Sequence, residues 1–191
     1  IKKLVIDEVD VMLDLGFLFQ LNNLFELLPD RRQNIMFSAT MTDDVAELIQ
    51  DFFYDPVQIS TAVSGTPLNN IAQTSYEAPN FLSKTALLKQ LLQEDIEFSK
   101  VLIFVPGKRI ADRLFEELQA DFRYELGVIH ANKSQNNRFT AIEEFNGGKH
   151  RILIATDVIA RGLDLDQISH VINFDAPIFP ENYMHRIGRT G

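Results

Sequence analysis

Three carboxylates lie within four positions near the start of the chain, directly after an apolar run. Asp7, Glu8 and Asp10 follow "KLVI", a run that predicts a buried strand. An acid at the end of such a strand is suited to hold Mg²⁺ beside nucleotide phosphates. A neighbouring carboxylate can deprotonate an attacking water. Taken alone, strand-ending acids more often cap the following helix, so the stretch needs support from elsewhere in the chain.

A second polar cluster lies in the last residues, "YMHRIGRTG". Arg186 and Arg189 are three positions apart and are predicted to share one turn of a helix that follows Pro180, with His185 beside them. The planar fork of arginine matches the oxygens of a phosphoryl group in transfer. For two isolated arginines, a solvated basic helix end is the alternative. The combination with the early carboxylates is what favours phosphate chemistry.

The elements that must position these residues alternate along the chain. Apolar runs alternate with segments of helical period, which predicts an α/β protein with a parallel sheet flanked by helices. In such sheets ligands bind at the carboxyl ends of the strands, where "DEVD", "SAT" and "TD" stand. The predicted strands are "KLVI", "NIMF", residues 71–77, "KVLIFV", "LGVIH", "RILIA" and "HVINF".

The pattern breaks once, and the break predicts two domains. Residues 55–70 carry two prolines, a glycine and several small polar residues without a sustained period, which indicates a linker. Residues 1–54 hold too few predicted strands to close a sheet, so we expect only the C-terminal part of a first domain. Residues 71–191 hold at least five predicted βα units and are expected to form a nearly complete second domain.

The net charge of −9 is unevenly distributed. Residues 1–99 contain 6 Lys and Arg against 15 Asp and Glu, whereas the remainder contains 12 of each. The second part can therefore hold the basic patches that a phosphate-rich partner needs. There is no cysteine, the four histidines lack metal-ligand spacing, and neither a long apolar run nor a secretion signal occurs. These features favour a cytoplasmic protein with no membrane partner.

Six short motifs give the chain a family resemblance. In order they are "DEVD", "SAT", "IFVPGKR", "SQNNR", "ATDVIARGLD" and "HRIGRTG". Each is weak alone, but their order and spacing resemble the DEAD-box family of ATP-dependent RNA helicases over residues 4–191. The resemblance implies two RecA-like domains of the P-loop NTPase type. ATP with Mg²⁺ and RNA would bind across the cleft between them.

In the first domain the resemblance implies three roles. Asp7 coordinates Mg²⁺, and Glu8 acts as the base toward the hydrolytic water. Asp10 joins Ser38 and Thr40 in a hydrogen-bonded link that couples the two domains.

In the second domain the resemblance implies further nucleotide contacts. Gly162 and Asp164 lie in the nucleotide site, where Asp164 contacts the ribose. Arg189 resembles an arginine finger. Arg186 is placed beside it among the catalytic residues and, with His185, supports the cleft.

The RNA-binding residues implied by the resemblance hold phosphates and sugars rather than bases, which gives sequence-independent binding. They are Gln135, Arg138, Thr156, Gly107 and Lys108. Protein partners in a ribonucleoprotein complex are also implied. Gln135 and Arg138 are one helix turn apart, so a plain solvated face is the alternative.

The chain departs from the family pattern in several places. Val9 stands where alanine is usual, and Ala131 stands where glycine is usual. No G-x-x-x-x-G-K-[ST] phosphate loop occurs, so we expect a fragment that does not hydrolyse ATP usefully by itself. Two alternatives stay open: a non-hydrolytic module that binds RNA or protein, and a related translocase that acts on DNA.

Overall fold

The chain divides into two compact units, each described here by itself. They comprise Ile1–Thr66 and Pro67–Gly191. The computed structural model describes residues 1–60, 71–94, 97–160, 163, 165 and 167–190. Most of the predicted linker, residues 61–70, lies outside the described residues. Within the described ranges, no helix is long and apolar enough to cross a bilayer.

Over residues 1–60, the first unit is a pair of parallel strands packed with three helices. Strands β1 (Lys3–Ile6) and β2 (Gln33–Met36) pair in parallel, which confirms both predicted strands. The helices are α1 (Val9–Asp14), α2 (Leu18–Leu27) and α3 (Asp43–Phe52). Their apolar sides enclose a small core made of Ile6, Val9, Leu13, Leu21, Phe25, Val45 and Leu48.

The start of α3 shows how sequence sets a boundary. The Thr42 Oγ1 accepts a hydrogen bond from the Val45 N–H at 3.3 Å, and Asp43 and Asp44 follow in the first turn. A hydroxyl cap followed by acidic residues satisfies and complements the exposed N–H groups of the first turn. Thr42 therefore fixes the position at which α3 begins.

The second unit is built on a four-stranded parallel sheet. Its strands are β3 (Val101–Val105), β4 (Leu126–Ile129), β5 (Ile152–Thr156) and β6 (His170–Asn173), in the order β4-β5-β3-β6. The helices are α4 (Phe81–Glu94), α5 (Lys108–Phe122), α6 (Gln135–Asn146), α7 (Asp157–Ala160) and α8 (Pro180–Ile187). This arrangement confirms the predicted RecA-like α/β class.

Helices cover both faces of this sheet. Every residue of β3 is at most 2% exposed, and alternate β3 residues enter two different cores. One core includes apolar residues of α4 and α5, and the other includes Ala141 and Phe145 of α6. A strand buried on both faces needs a continuous apolar run rather than alternation, which is why "KVLIFV" was recognisable.

One predicted strand is wrong. Residues 71–77 form no strand, and the described part of the second unit has four strands rather than at least five. The segment is mostly exposed, and Tyr76 is 58% exposed. Its few apolar residues provide too little buried surface to hold a strand against the sheet.

The close contact between β4 and His150 gives a stability prediction. A Cβ atom at Gly127 would lie 2.9 Å from the His150 Nδ1 and 3.1 Å from a methyl carbon of Leu153. We expect Gly127→Ala to lower the free energy of unfolding by about 1–3 kcal/mol, measured by urea denaturation followed by circular dichroism. Gly107→Ala is the control, because a Cβ there meets nothing within 4 Å. Equal unfolding midpoints for the two variants would contradict the prediction.

Candidate functional site

The first two carboxylates stand in a turn between β1 and α1. Asp7 is exposed, and its Oδ1 accepts a hydrogen bond from the Glu8 N–H at 2.9 Å. Glu8 has φ 51° and ψ 44°, the left-handed region, and its side chain makes no capping bond to α1. A non-glycine residue in this region costs about 1–3 kcal/mol and often marks a functional site. The conformation therefore weighs against simple helix capping.

The fit to Mg²⁺ rests on the type of donor. The described residues contain no group of three or more acidic or histidine side chains that could hold a metal ion. Mg²⁺ commonly takes only one or two carboxylates and completes its shell with water and substrate phosphates. The exposed Asp7 carboxylate fits that role, and the nucleotide would have to supply other ligands.

The third carboxylate is buried and binds the "SAT" segment. Asp10 is 4% exposed, and its Oδ2 accepts bonds from the Thr40 N–H at 2.9 Å and the Thr40 hydroxyl at 2.8 Å. The Ser38 hydroxyl donates to the Thr40 carbonyl at 2.6 Å. The structure thus brings Asp10, Ser38 and Thr40 together within the first unit. Asp10 and Ser38 each bind Thr40. Their role in coupling two domains stays a prediction.

The Asp10 carboxylate should stabilise the first unit. Asp10→Ala would leave the Thr40 N–H and hydroxyl without their acceptor, so we expect a loss of about 1–3 kcal/mol in the free energy of unfolding. Asp14→Ala is the matched control, since Asp14 is exposed on the same helix. Thermal denaturation of both variants measures the difference. If Asp10→Ala melts no earlier than Asp14→Ala, the bonds contribute nothing to stability.

In the second unit, Arg186 is almost completely enclosed. It is 3% exposed and forms a bidentate pair with Asp157, with its Nε 2.6 Å from Oδ1 and its Nη2 2.7 Å from Oδ2. Its Nη1 donates to the Asn173 side chain at 2.8 Å and to the Asp175 carbonyl at 3.0 Å. These bonds tie α8 to residues that follow or end β5 and β6.

This bonding engages most of the hydrogen-bond donors of Arg186. The guanidinium has five N–H donors in a fixed fork. Its bonds to Asp157, Asn173 and Asp175 come from all three of its nitrogens. Arg186 therefore links α8 to the ends of two strands, and its catalytic role stays a prediction. In the sequence Asp157 belongs to "TD" at a strand end, and nothing in that local pattern indicates its pairing with Arg186.

Arg189 lies beyond the helix rather than on it. Helix α8 ends at Ile187, so the predicted placement of both arginines on one helix turn is wrong. Gly188 follows as the C-cap and ends the helix one residue before Arg189. The Arg189 Nη1 donates to the Leu163 carbonyl at 3.0 Å.

The predicted finger and cleft residues share one small recess. It is lined by Phe104, Asp157, Ala160, His185, Arg186 and Arg189. The His185 Nδ1 is buried there with no hydrogen-bond partner among the described residues. The structure thus brings Arg189 and His185 together. Gly162 and Asp164, the predicted nucleotide contacts, lie outside the described residues.

The predicted RNA-binding residues gather at one edge of the second sheet. Gly107 and Lys108 follow β3, the loop of residues 130–134 follows β4, and Thr156 ends β5. These strands are parallel neighbours, so their carboxyl ends lie at the same edge. We call the residues 106–108, 130–135 and 156, together with Arg138, the carboxyl edge.

Side-chain hydrogen bonds hold two of the cations of the carboxyl edge. The Lys108 Nζ donates to the Asn132 side chain at 3.1 Å, and the Arg138 Nη1 donates to the Gln135 Oε1 at 2.9 Å. Ser134 caps α6 by accepting from the Asn137 N–H at 3.2 Å. The backbone N–H groups at the start of α6 therefore lie near Lys108 and Arg138. This arrangement favours the binding of an anion.

Comparison with known proteins assigns the chain to a family. The family model described as Helicase conserved C-terminal domain matches residues 83–191, and the model described as DEAD/DEAH box helicase matches residues 1–48. The chain is 41% identical to the ATP-dependent RNA helicase p62 of Drosophila melanogaster, covering 98% of the chain and 27% of that protein. It is 36% identical to the eukaryotic initiation factor 4A of Dictyostelium discoideum, covering 100% and 47%.

Solved structures give the same result. The chain is 30% identical to S. cerevisiae Dbp5 bound to RNA and ADP BeF3, with a TM-score of 0.88, covering 100% of the chain and 50% of that one. A DEAD box protein from Methanococcus jannaschii is 34% identical, with a TM-score of 0.57 and coverage of 100% and 50%. The fold and the carboxyl edge define a RecA-like protein of the helicase class. The chain belongs to the DEAD-box RNA helicase family, and it spans half or less of these four proteins.

Proposed function

We propose that the protein containing this chain is an ATP-dependent RNA helicase that couples RNA-stimulated ATP hydrolysis to local duplex unwinding or ribonucleoprotein remodelling. The observation that carries the proposal is the carboxyl edge of the second unit, where Lys108, Gln135, Arg138 and Thr156 come together in a family member. These side chains would bind the phosphates and sugars of RNA rather than its bases, so binding would be independent of the RNA sequence.

The first unit would supply half of the hydrolytic site. When bound, Mg²⁺ supplies positive charge that offsets the charge of the phosphates. Asp7 would hold it, and Glu8 would accept the proton of the attacking water. The left-handed backbone at Glu8 supports this assignment, because such a conformation in a non-glycine residue often marks a functional site.

The second unit would complete the nucleotide site. Arg189 would stabilise the charge that develops on the transferred phosphoryl group, a contribution worth about 10³–10⁵ in rate in related systems. Arg186 would position this region through Asp157. Gly162 and Asp164 would contact the nucleotide, with Asp164 at the ribose.

The remaining assignments follow from this function. The two helicase domains would comprise residues 1–54 and 71–191, joined by a linker over residues 55–70. Asp10, Ser38, Thr40 and His185 would couple nucleotide state to RNA binding. Partner proteins of a ribonucleoprotein complex and a cytoplasmic location belong to the same proposal, and one solved relative is a yeast Dbp5 variant bound to Gle1.

Strand displacement with the natural full-length protein tests the proposal. A short labelled RNA duplex with a single-stranded extension should separate when ATP is added, and a non-hydrolysable ATP analogue should not support repeated cycles of separation. A DNA duplex of the same sequence serves as the comparison. Equal displacement of DNA would favour a DNA-directed translocase, and no displacement with ATP would favour a binding module.

A further inference from the structure

The loop that follows β4 is held by a buried histidine. His130 is 2% exposed, and its Nε2 lies 2.9 Å from the Asp112 Oδ1 on α5. The Asn132 N–H donates to the His130 Nδ1 at 3.3 Å. Because the Nδ1 acts as an acceptor, this bonding assigns the ring proton to the Nε2, which donates to Asp112. The pair therefore joins the loop to α5.

Asp112 also binds a lysine of the same loop. The Lys133 Nζ donates to the same Asp112 Oδ1 at 2.9 Å. The bond from His130, and after it the bond from Lys133, hold the pKa of Asp112 below its usual value, although desolvation opposes them. Asp112 thus remains a carboxylate at neutral pH and fixes both a buried ring and an ammonium group.

Lys133 occupies a position suited to a phosphate. It immediately precedes Ser134, the N-cap of α6, and Gln135 is the first residue of that helix. Lys108 binds the same loop through Asn132 at 3.1 Å. Two lysines and the N-terminal end of a twelve-residue helix therefore combine their positive potential at the carboxyl edge.

The contact to Asp112 leaves Lys133 able to bind a second anion. The ammonium group has three donors, and its side chain is 31% exposed while that of Asp112 is 47% exposed. One donor is enough for the bond to Asp112, so a backbone phosphate can take another donor without displacing the carboxylate. Asp112 would then keep the lysine in place rather than compete for all of its donors.

We propose that Lys133 is a further binding residue for the RNA phosphate backbone and that Asp112, together with His130, positions it. This inference rests on the proposed function, because it names one more contact of the same RNA surface. The positive charge for a phosphate backbone would come from Lys108, Lys133 and Arg138, which all lie along the carboxyl edge.

Fluorescence anisotropy of a labelled single-stranded RNA bound to the natural full-length protein tests the role of Lys133. We expect Lys133→Gln to weaken binding about threefold to tenfold at about 0.1 M salt and to reduce the salt slope of log K by about 0.7. Lys149→Gln is the matched control, because Lys149 also pairs with a carboxylate, Glu144, but lies after α6 and before β5, away from the carboxyl edge. It should leave both quantities unchanged.

Two substitutions at Asp112 test the positioning role. Asp112→Asn keeps an acceptor for His130 and should retain at least half of the wild-type affinity, whereas Asp112→Ala removes it and should weaken binding more than Asp112→Asn but no more than Lys133→Gln. Loss of affinity in Asp112→Asn equal to that in Asp112→Ala would overturn the positioning role. An unchanged affinity and salt slope in Lys133→Gln would overturn the phosphate contact. If the wild-type chain binds no RNA, the proposed function fails first and this inference fails with it.

Discussion

Replacing Arg186 by alanine is expected to lower the free energy of unfolding of the second unit by about 3–5 kcal/mol. Removing one partner of a buried ion pair leaves the other charge uncompensated, and this typically costs that amount. Here the partner is Asp157, and the Asn173 side chain and the Asp175 carbonyl lose a donor as well. Urea denaturation of the 191-residue chain, followed by circular dichroism, measures the change.

Two further variants separate charge from geometry at this position. Arg186→Lys keeps the charge but loses the planar fork that binds both Asp157 oxygens, so its stability should lie between those of the wild type and the alanine variant. Arg109→Ala is the control, because Arg109 is exposed on α5. An Arg186→Ala variant as stable as Arg109→Ala would show that the pair is not needed for folding.

Glu8→Gln in the natural full-length protein is expected to lower the rate of RNA-stimulated ATP hydrolysis about 10²–10⁴-fold. A carboxamide cannot accept the proton of the attacking water, and a positioned general base contributes about this factor. Asp7 is unchanged in the variant, so nucleotide binding should persist. Release of inorganic phosphate under saturating ATP and RNA gives kcat directly.

Glu26→Gln provides the matched control for this prediction. Glu26 is exposed on α2 of the same unit, and it is remote in sequence from the turn that follows β1. The control should hydrolyse ATP at the wild-type rate. A Glu8→Gln variant that retains wild-type kcat would exclude Glu8 as the base.

Most of the fold was predictable because parallel strands are buried on both faces. After Lys100, the run "VLIFV" has no polar position, and the structure places all of Val101–Val105 in the core. The prediction of a strand at residues 71–77 is wrong because this short segment has few apolar residues. Such a segment forms a strand only where a neighbouring strand pairs with it. Strand pairing is a tertiary property that a local pattern does not contain.

The sequence predicts which residues belong to the candidate site, but not which side chains bind to one another. The motifs pointed to Asp10 and Thr40, which the structure joins, yet they gave no sign that Arg186 is committed to Asp157. These two residues are separated by 29 positions in the sequence, so only the packed sheet brings them together. The sequence also does not predict the left-handed backbone of Glu8, because non-glycine residues rarely adopt this conformation.

The rate of ATP hydrolysis by the natural full-length protein, measured without nucleic acid, with single-stranded RNA and with single-stranded DNA, tests the central claim most directly. The account predicts slow basal hydrolysis, a marked increase with RNA of any sequence, and little increase with DNA. Stimulation by DNA equal to that by RNA, or no hydrolysis in the presence of RNA, would contradict it.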